Sequence, residues 1–334
     1  MSLHAYAVGL LMLFGSASAV AQDVFQLPIP DTTIRVNVDR INVGVTITDS
    51  HGHSVPGLHR QDFRIFDNGV EQPISGFVPS EEPARLVFLI ESSSADFLLV
   101  KLGKSPFLGA DNLLNNISTI DRVAIVTFSK DPRLVLDFTP DKLQARLQLH
   151  EINSAFLSLG GASSGLQNLA SSVAATIDWL ASFSGSKIIV VLSTGIDTSP
   201  PESWQAVQRK LETADVHILA LSIFGDFRTP TKRKVLSADD RADRTFVKEG
   251  IAQSDEFLSQ LSQASGGRAY FPKNAKDFTR AYGEIAQLVR SEYTLEFVPP
   301  AYDNQIHAIK VIVKRSRYRA DYRPAYLAPS SSAH

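Results

Sequence analysis

The sequence of 334 residues predicts an α/β fold: a doubly wound, mostly parallel sheet with helices on both faces. It also predicts a β-sandwich-like domain that is built from both ends of the chain. Two patterns lead to this prediction. The middle of the chain alternates short apolar runs with amphipathic helical patterns, which is typical of parallel strands covered on both faces. Both ends instead alternate apolar and polar residues, as half-buried antiparallel strands do.

Four β-branched apolar runs predict the strands of the central sheet, at 86–90, 123–128, 188–192 and 216–223. Between and after these runs, apolar residues recur three and four positions apart, which predicts helices. One such series is Leu166, Leu169, Val173, Ile177 and Leu180. Ser254 and the pair Gly266-Gly267 predict the start and the stop of a further helix.

The two ends of the chain predict strands of a different kind. Alternation over 33–47 and the run 63–66, followed by the turn residues Asp67-Asn68-Gly69, predict N-terminal strands. Three more strands are predicted near the C-terminus, at 293–297, 308–313 and 318–322. Neither end alone has enough strands for a stable sandwich. We therefore expect the two ends to pair, with the middle of the chain inserted between them.

The first residues predict export. The apolar stretch 5–14 has the length of a signal-peptide core, and Ala19-Val20-Ala21 has the form of a cleavage site. No other segment is long and apolar enough to span a membrane, so we expect no membrane insertion after cleavage. The mature protein is therefore expected in the periplasm, in the cell envelope or outside the cell.

These patterns divide the chain into successive segments. We predict a signal peptide at 1–21, the two parts of the sandwich-like domain at 30–82 and 291–327, the inserted domain at 84–290 with a charged surface loop at 227–250, and a disordered tail at 328–334.

Composition excludes several function classes. A formal net charge of −2 argues against a nucleic-acid partner held by bulk electrostatics. The chain has no cysteine, which excludes disulfides, zinc-thiolate sites and a cysteine nucleophile.

One acid and three hydroxyl residues follow the first buried run directly. Glu91, Ser92, Ser93 and Ser94, with Asp96 just beyond them, are predicted to lie at the rim of the sheet. In open α/β folds the rim at the carboxyl ends of the strands is where ligands bind. This rim is therefore the predicted functional edge.

Four spaced blocks carry a resemblance to a known family. The segments 86–95, 121–129, 159–161 and 189–198 resemble successive blocks of a von Willebrand factor type A (VWA) domain, in particular the VWFA-related domain of bacterial exported proteins. The flanking segments 43–77 and 293–322 resemble those that surround this domain in such proteins. The resemblance implies a doubly wound sheet with helices on both faces and a role in protein binding.

The family often carries a metal-ion-dependent adhesion site, and this sequence departs from its pattern. The site takes its ligands from a D-x-S-x-S motif, a threonine after a glycine pair, and a later aspartate. Here Glu91 stands at the first aspartate, Ser93 keeps the first serine, and Ala95 replaces the second. Ala162 replaces the threonine, and Thr194 replaces the second aspartate. The resemblance therefore implies a degenerate site, and we expect neither a metal nor another cofactor.

The expected function is that of an exported, non-catalytic protein–protein interaction module. We predict a partner-binding face made of Glu91, Ser92, Ser93, Ser94, Asp96, Gly161, Ser163, Thr194 and Asp197. Charge reversal at Glu91 is expected to weaken partner capture and to leave folding intact. One alternative is a divalent-cation-dependent, adhesin-like protein, in which Glu91, Ser93 and Ser163 would hold Mg²⁺. A further alternative is a serine hydrolase.

The histidines are relevant to two of these possibilities, as the base of a serine hydrolase and as ligands of a metal. Ser92 to Ser94 lack the flanking glycines of a nucleophile elbow, and His217 is expected to be a core or strand-edge histidine. His51 and His53 beside Asp49 could bind a metal. Because they flank a turn and no third ligand is evident, we expect solvated loop residues there.

Overall fold

The protein is described by a computed structural model. It describes residues 40–51, 53–79, 83–92, 107, 109–158, 166–224, 238–289, 292–314 and 317–330. The predicted signal peptide, residues 30–39 and the last four residues lie outside these ranges. Within them, no helix combines the length and the apolar character needed to cross a membrane.

The described residues form fourteen strands and six helices. The strands are β1 (Ile41–Thr48), β2 (Phe63–Asp67), β3 (Val70–Gln72), β4 (Gly76–Val78), β5 (Arg85–Glu91), β6 (Arg122–Phe128), β7 (Pro132–Thr139), β8 (Lys187–Ser193), β9 (His217–Ser222), β10 (Arg268–Tyr270), β11 (Glu292–Phe297), β12 (Ile306–Val313), β13 (Arg319–Tyr322) and β14 (Ala325–Leu327). The helices are α1 (Ala110–Asn116), α2 (Lys142–Ser158), α3 (Leu169–Leu180), α4 (Pro201–Thr213), α5 (Ala238–Ala264) and α6 (Ala275–Val289).

The central sheet has six strands in the order β10-β9-β8-β5-β6-β7. All neighbours pair in parallel except β6 and β7, which are antiparallel. The four predicted central strands are confirmed. The two edge strands, β7 and β10, were not predicted, because β7 is a partly exposed strand and β10 has only three residues.

Helices cover both faces of this sheet, because successive side chains of its strands point to opposite sides. Phe88 of β5 belongs to a core that includes residues of α1, α2 and α6. Its neighbours Val87 and Leu89 belong to a second core with residues of α3, α4 and α5. A strand with apolar residues on both faces reads as one continuous apolar run, which is the pattern that predicted it. The predicted three-layer α/β architecture is confirmed.

The two ends of the chain form a pair of four-stranded sheets, in the orders β13-β1-β11-β4 and β14-β12-β2-β3. In the first, β1 pairs antiparallel with β11 from Ile41↔Phe297 to Thr46↔Glu292. In the second, β2 pairs antiparallel with β12. One apolar core joins residues of both sheets. The predicted sandwich from both ends of the chain is therefore confirmed, and its strands lie within the predicted segments 30–82 and 291–327.

A buried polar contact joins the sandwich to the central domain. Glu292 at the start of β11 accepts a hydrogen bond from Ser186 Oγ at 2.6 Å, and its Oε1 lies 3.6 Å from Nδ1 of His217. Burial raises the pKa of Glu292, whereas His217 and Ser186 act in the opposite direction. Gly44 of β1 makes room for this contact, since a Cβ there would lie 2.8 Å from His217 Nε2.

Arg323 makes a second connection between the two domains. Its guanidinium is buried and donates to the carbonyls of Glu212 and Ala214 at the end of α4, at 3.0 and 3.2 Å. It also donates to the carbonyl of Asn42 in β1 at 2.5 Å. The central domain is thus anchored on the sandwich at the edge where its parallel strands begin, which leaves the opposite edge to carry a site.

Two predicted segments need correction. The charged segment 227–250 was predicted to be a loop, but α5 begins at Ala238, so that residues 238–250 are helical and Ser254 lies inside the helix. The reason is that this stretch has Ala, Arg, Lys and Glu residues, which favour helices, and no proline, and that it continues into the packed half around Leu258 and Leu261. The tail was predicted to be disordered from 328, but Ala328 is buried and its N–H donates to the carbonyl of Gln305.

Candidate functional site

The carboxyl ends of β5 and β8 meet at the point where the strand order reverses. From β5 the chain proceeds to β6 on one side, and β8 later returns to the other side of β5. The two strands are parallel and in register up to Ile90↔Leu192. Ligands of open α/β sheets bind outside such a reversal point. The residues that come next, Glu91 and Ser193-Thr194, therefore occupy the expected position of a site.

The Glu91 carboxylate is held by the end of β8. Its Oε2 accepts hydrogen bonds from Ser193 Oγ at 2.6 Å, from the Thr194 backbone N–H at 2.7 Å and from Thr194 Oγ1 at 2.9 Å. Oε1 lies 3.1 Å from the same Thr194 hydroxyl. Bonds to an ionised acceptor are stronger than neutral ones. We call Glu91, Ser193 and Thr194 the switch-point cluster.

The switch-point cluster lies below the protein surface. The exposed fraction is 1% for Glu91 and 0% for both Ser193 and Thr194. The backbone turns sharply after it at Gly195, where φ is +81°. A Cβ at this glycine would lie 2.6 Å from the carbonyl oxygen of Ser254, so that only glycine fits without a shift of α5.

The hydroxyls of the cluster also bind the turn that follows it. Ser193 Oγ accepts from the Gly195 N–H at 2.9 Å, and Thr194 Oγ1 accepts from the Ile196 N–H at 3.2 Å. Each hydroxyl therefore donates its proton to Glu91 and accepts from the backbone. A buried polar group that is satisfied in this way stabilises the fold, whereas an unsatisfied one is costly.

The described residues of the predicted metal site are already engaged in hydrogen bonds to one another. Mg²⁺ requires octahedral oxygen ligands, and it gives up its own water only when charged groups replace it. Glu91 is the one carboxylate of the switch-point cluster, and its Oε2 already accepts three hydrogen bonds. Thr194 donates its proton to that carboxylate, where a second aspartate would have brought a negative charge. The other two predicted ligands, Ser93 and Ser163, lie outside the described residues.

The loop that follows the cluster holds the start of α3. Asp197 Oδ1 accepts hydrogen bonds from the N–H groups of Ala170 and Ser199, at 3.3 and 3.1 Å. Asp197 thereby satisfies a free N–H in the first turn of α3, as a capping residue does, although it comes from another loop. Thr198 adds a hydrogen bond from its N–H to the carbonyl of Gln167 at 2.6 Å. The loop and the helix terminus therefore form one hydrogen-bonded unit.

Above the buried cluster, this unit presents exposed side chains at the rim. Ile196 is 44% exposed and Leu166 is 43% exposed, and both are large apolar residues. They flank the bonded pair Gln167 and Thr198, of which Thr198 is also exposed. Ser92 at the end of β5 is half-buried, and its N–H donates to the carbonyl of Phe128. We call the exposed surface formed by Leu166 and Ile196, together with the polar Thr198, the apolar rim.

The residues of the predicted partner-binding face lie at different depths. Glu91 and Thr194 are buried, so that neither side chain is placed to contact a partner, and the expected tolerance of charge reversal at Glu91 conflicts with its hydrogen bonds. Ser92 and Asp197 are half-buried near the rim. The remaining predicted residues, Ser93, Ser94, Asp96, Gly161 and Ser163, lie outside the described residues.

The two buried histidines that a serine hydrolase could use as a base, His217 and His307, lie away from the rim. His217 pairs in register with Ile188, and Ile188 with Leu86, which places His217 level with the start of β5. Ser92 follows the end of that strand, about 20 Å farther along at 3.3 Å per residue. His307 belongs to the sandwich, where its Nδ1 lies 2.7 Å from Asp67. Neither histidine is placed to activate Ser92.

Sequence reasoning missed Ser193, Ile196 and Leu166. Ser193 follows the predicted strand 188–192 directly, and its register with Glu91 could be inferred from the two parallel runs of equal length. Leu166 was assigned to the buried stripe of a helix, but α3 begins three residues later and leaves it exposed. For Ile196, an apolar residue in a loop between polar ones was the available signal.

No family model and no curated protein sequence matches this chain. Among solved structures, it is similar to a conserved hypothetical protein BatB from Bacteroides thetaiotaomicron, with a TM-score of 0.42 and 16% identity over 62% of this chain and 100% of that one. It is also similar to an aerotolerance-related membrane protein from Bacteroides fragilis, with a TM-score of 0.43 and 17% identity over 62% of this chain and 98% of that one.

A third similar structure is a von Willebrand factor type A protein from Catenulispora acidiphila, with a TM-score of 0.42 and 10% identity over 87% of this chain and 74% of that one. All three TM-scores lie below 0.5. The central domain has a doubly wound α/β fold, with a mostly parallel six-stranded sheet and helical layers on both of its faces, which is the fold that the resemblance to the VWA family implies.

Removal of the Glu91 carboxylate should destabilise the protein. Glu91→Ala leaves the Ser193 hydroxyl and both donors of Thr194 buried without their acceptor, and we expect a loss of about 2–4 kcal/mol in the free energy of unfolding. Urea unfolding of this variant and of Glu256→Ala, which removes an exposed carboxylate on α5, measures the difference. Equal stability of the two variants would contradict the burial and bonding of Glu91.

Mg²⁺ should not stabilise the protein. A bound ion raises the melting temperature by mass action, so that a working site would give a higher midpoint in millimolar MgCl₂ than in EDTA at equal ionic strength. We expect equal midpoints, because the switch-point cluster satisfies its own carboxylate. A rise in the wild type that disappears in Glu91→Gln would show that the ion displaces these hydrogen bonds.

Proposed function

We propose that this chain is an exported, non-catalytic protein–protein interaction module that binds a protein partner through the apolar rim. The observation that carries the proposal is the division of the sheet edge into two layers. The buried layer, the switch-point cluster, bonds to itself. The outer layer presents Leu166, Ile196 and Thr198 to solvent.

The chemistry of the two layers supports binding rather than catalysis. Ser193 and Thr194 are fully buried, so that their hydroxyls, which donate to Glu91, are not accessible to a substrate. The apolar rim offers the opposite properties, namely large apolar side chains beside a polar group on a loop fixed by hydrogen bonds. A rigid loop loses little conformational entropy on binding, which favours affinity.

The cation-dependent alternative has less support. It requires Mg²⁺ at Glu91 with an open coordination position for a carboxylate of the partner. The carboxylate of Glu91 instead points into the protein, toward the end of β8. We propose that a hydrogen-bonded cluster stands where the family's metal would bind, and that the partner is recognised by the side chains above it.

Export belongs to this proposal and is supported by the sequence. The apolar core at 5–14 and the motif Ala19-Val20-Ala21 favour secretion and cleavage. The net charge of −2 supports a protein partner over a nucleic acid. We propose that the mature protein acts in the periplasm, in the cell envelope or outside the cell, without a cofactor.

Site-directed photo-crosslinking tests the proposed interface. A photoreactive benzoylphenylalanine at Ile196 should crosslink to a defined partner in an envelope fraction, and excess unlabelled protein should compete. The matched control is Ile120, which is 51% exposed and lies two residues before β6, at the opposite edge of the sheet. In addition, Ile196→Asp should lower partner recovery at least about fivefold, as expected for an interface residue worth more than 1 kcal/mol.

Two outcomes would contradict the proposed interface. One is crosslinking of equal yield and identity from positions 196 and 120, which indicates non-specific capture. The other is undiminished recovery of the partner by Ile196→Asp when its melting temperature equals that of the wild type. Ile120→Asp serves as the charge-matched control for that comparison.

A further inference from the structure

The turn after β1 brings together two imidazoles and a carboxylate. The side-chain ligand atoms of Asp49, His51 and His53 all lie within 4.8 Å of one another. Asp49 Oδ2 lies 3.3 Å from Nδ1 of His53 and 3.9 Å from Nδ1 of His51. The two rings are nearly parallel, with an angle of 22° between their planes. Asp49, which the sequence places beside the two histidines, thus supplies the third ligand.

The backbone fixes this arrangement. Thr48 and Ser54 form an antiparallel bridge, and the Asp49 N–H donates to the carbonyl of His53 at 2.8 Å. Asp49 Oδ1 accepts from the N–H groups of His51 and His53, at 2.8 and 2.9 Å. These bonds orient the carboxylate, so that Oδ1 faces the backbone and Oδ2 faces the two rings. The backbone N–H groups thereby do what outer-shell partners do for a metal-binding carboxylate.

The spacing fits a zinc ion. In a tetrahedral site with bonds of about 2.0–2.1 Å, neighbouring ligand atoms lie about 3.4 Å apart. The separations from Oδ2 to Nδ1 of His53 and of His51, 3.3 and 3.9 Å, come close to this value, and all the ligand atoms lie within 4.8 Å of one another. Two nitrogens and one oxygen suit Zn²⁺, whereas Mg²⁺ prefers oxygen alone. Three ligands from the protein leave a fourth position open, as in sites that accept an outside donor.

We propose that Asp49, His51 and His53 form a surface Zn²⁺ site with one coordination position left for water or for a donor from another molecule. The site lies on the sandwich domain, and its residues are separate from the switch-point cluster and from the apolar rim. It depends neither on the proposed partner interface nor on the degenerate motif of the central domain. Its ligands are exposed or half-buried, so that an ion can reach them from solvent.

Zinc titration of the tag-free mature protein tests this proposal. After treatment with a chelator, isothermal titration with ZnCl₂ should give one ion per chain. His51→Gln, His53→Gln and Asp49→Asn should each weaken binding at least about tenfold, since loss of an outer-shell partner alone typically costs 10–100-fold. His59→Gln is the matched control, because His59 is an exposed histidine that lies 3.9 Å from Asp62, outside the cluster.

A second measurement keeps the proposal testable if a variant folds poorly. Diethyl pyrocarbonate modifies free imidazoles, and mass spectrometry locates the modified residues. Zn²⁺ should protect His51 and His53 in the wild-type protein and leave His59 reactive. Equal protection of all three histidines, no bound zinc, or the same affinity in His53→Gln and His59→Gln would each overturn the proposed site.

Discussion

The hydrogen bonds from Ser193 and Thr194 to the Glu91 carboxylate fix the structure of the sheet edge at which the proposed interface lies. They join the ends of the two strands between which the strand order reverses. In an open α/β sheet this position usually receives a ligand. Here a side chain of the protein fills it, and its Oε2 accepts hydrogen bonds from three donors in a buried environment. The geometry depends on the parallel register of β5 and β8, which brings Glu91 level with Ser193.

This constraint is the reason that we propose the surface above the cluster as the interface. The hydroxyl of Thr194 donates to Glu91, where a carboxylate could not. The loop after Thr194 then turns inward at Gly195 and is bonded to the start of α3 through Asp197 and Thr198. Among the described residues of this edge, Leu166, Ile196 and Thr198 are exposed. The proposed interface is therefore a consequence of how the cluster satisfies itself.

The sequence predicted the fold well, because continuous apolar runs and alternating end strands are direct consequences of two-sided and one-sided burial. It was less informative about the site, because the pattern identifies residues at a strand end without showing the direction of their side chains. Glu91 was predicted to face a partner and instead faces β8. The third ligand at Asp49 was missed for a related reason, since only the turn geometry brings its oxygen toward both histidines. The first part of helix α5 was not predicted, because the charge of the segment 227–250 suggested a loop.

A double-mutant cycle between Glu91 and Thr194 tests whether the two side chains belong to one buried hydrogen-bond network. The free energies of unfolding of the wild type, Glu91→Gln, Thr194→Val and the double variant give the coupling energy between the two side chains. We expect a coupling of about 1–3 kcal/mol, as found for residues in one buried hydrogen-bond network. If the two effects add within about 0.3–0.5 kcal/mol, the two residues act independently, and the hydrogen-bonded cluster does not hold the sheet edge together.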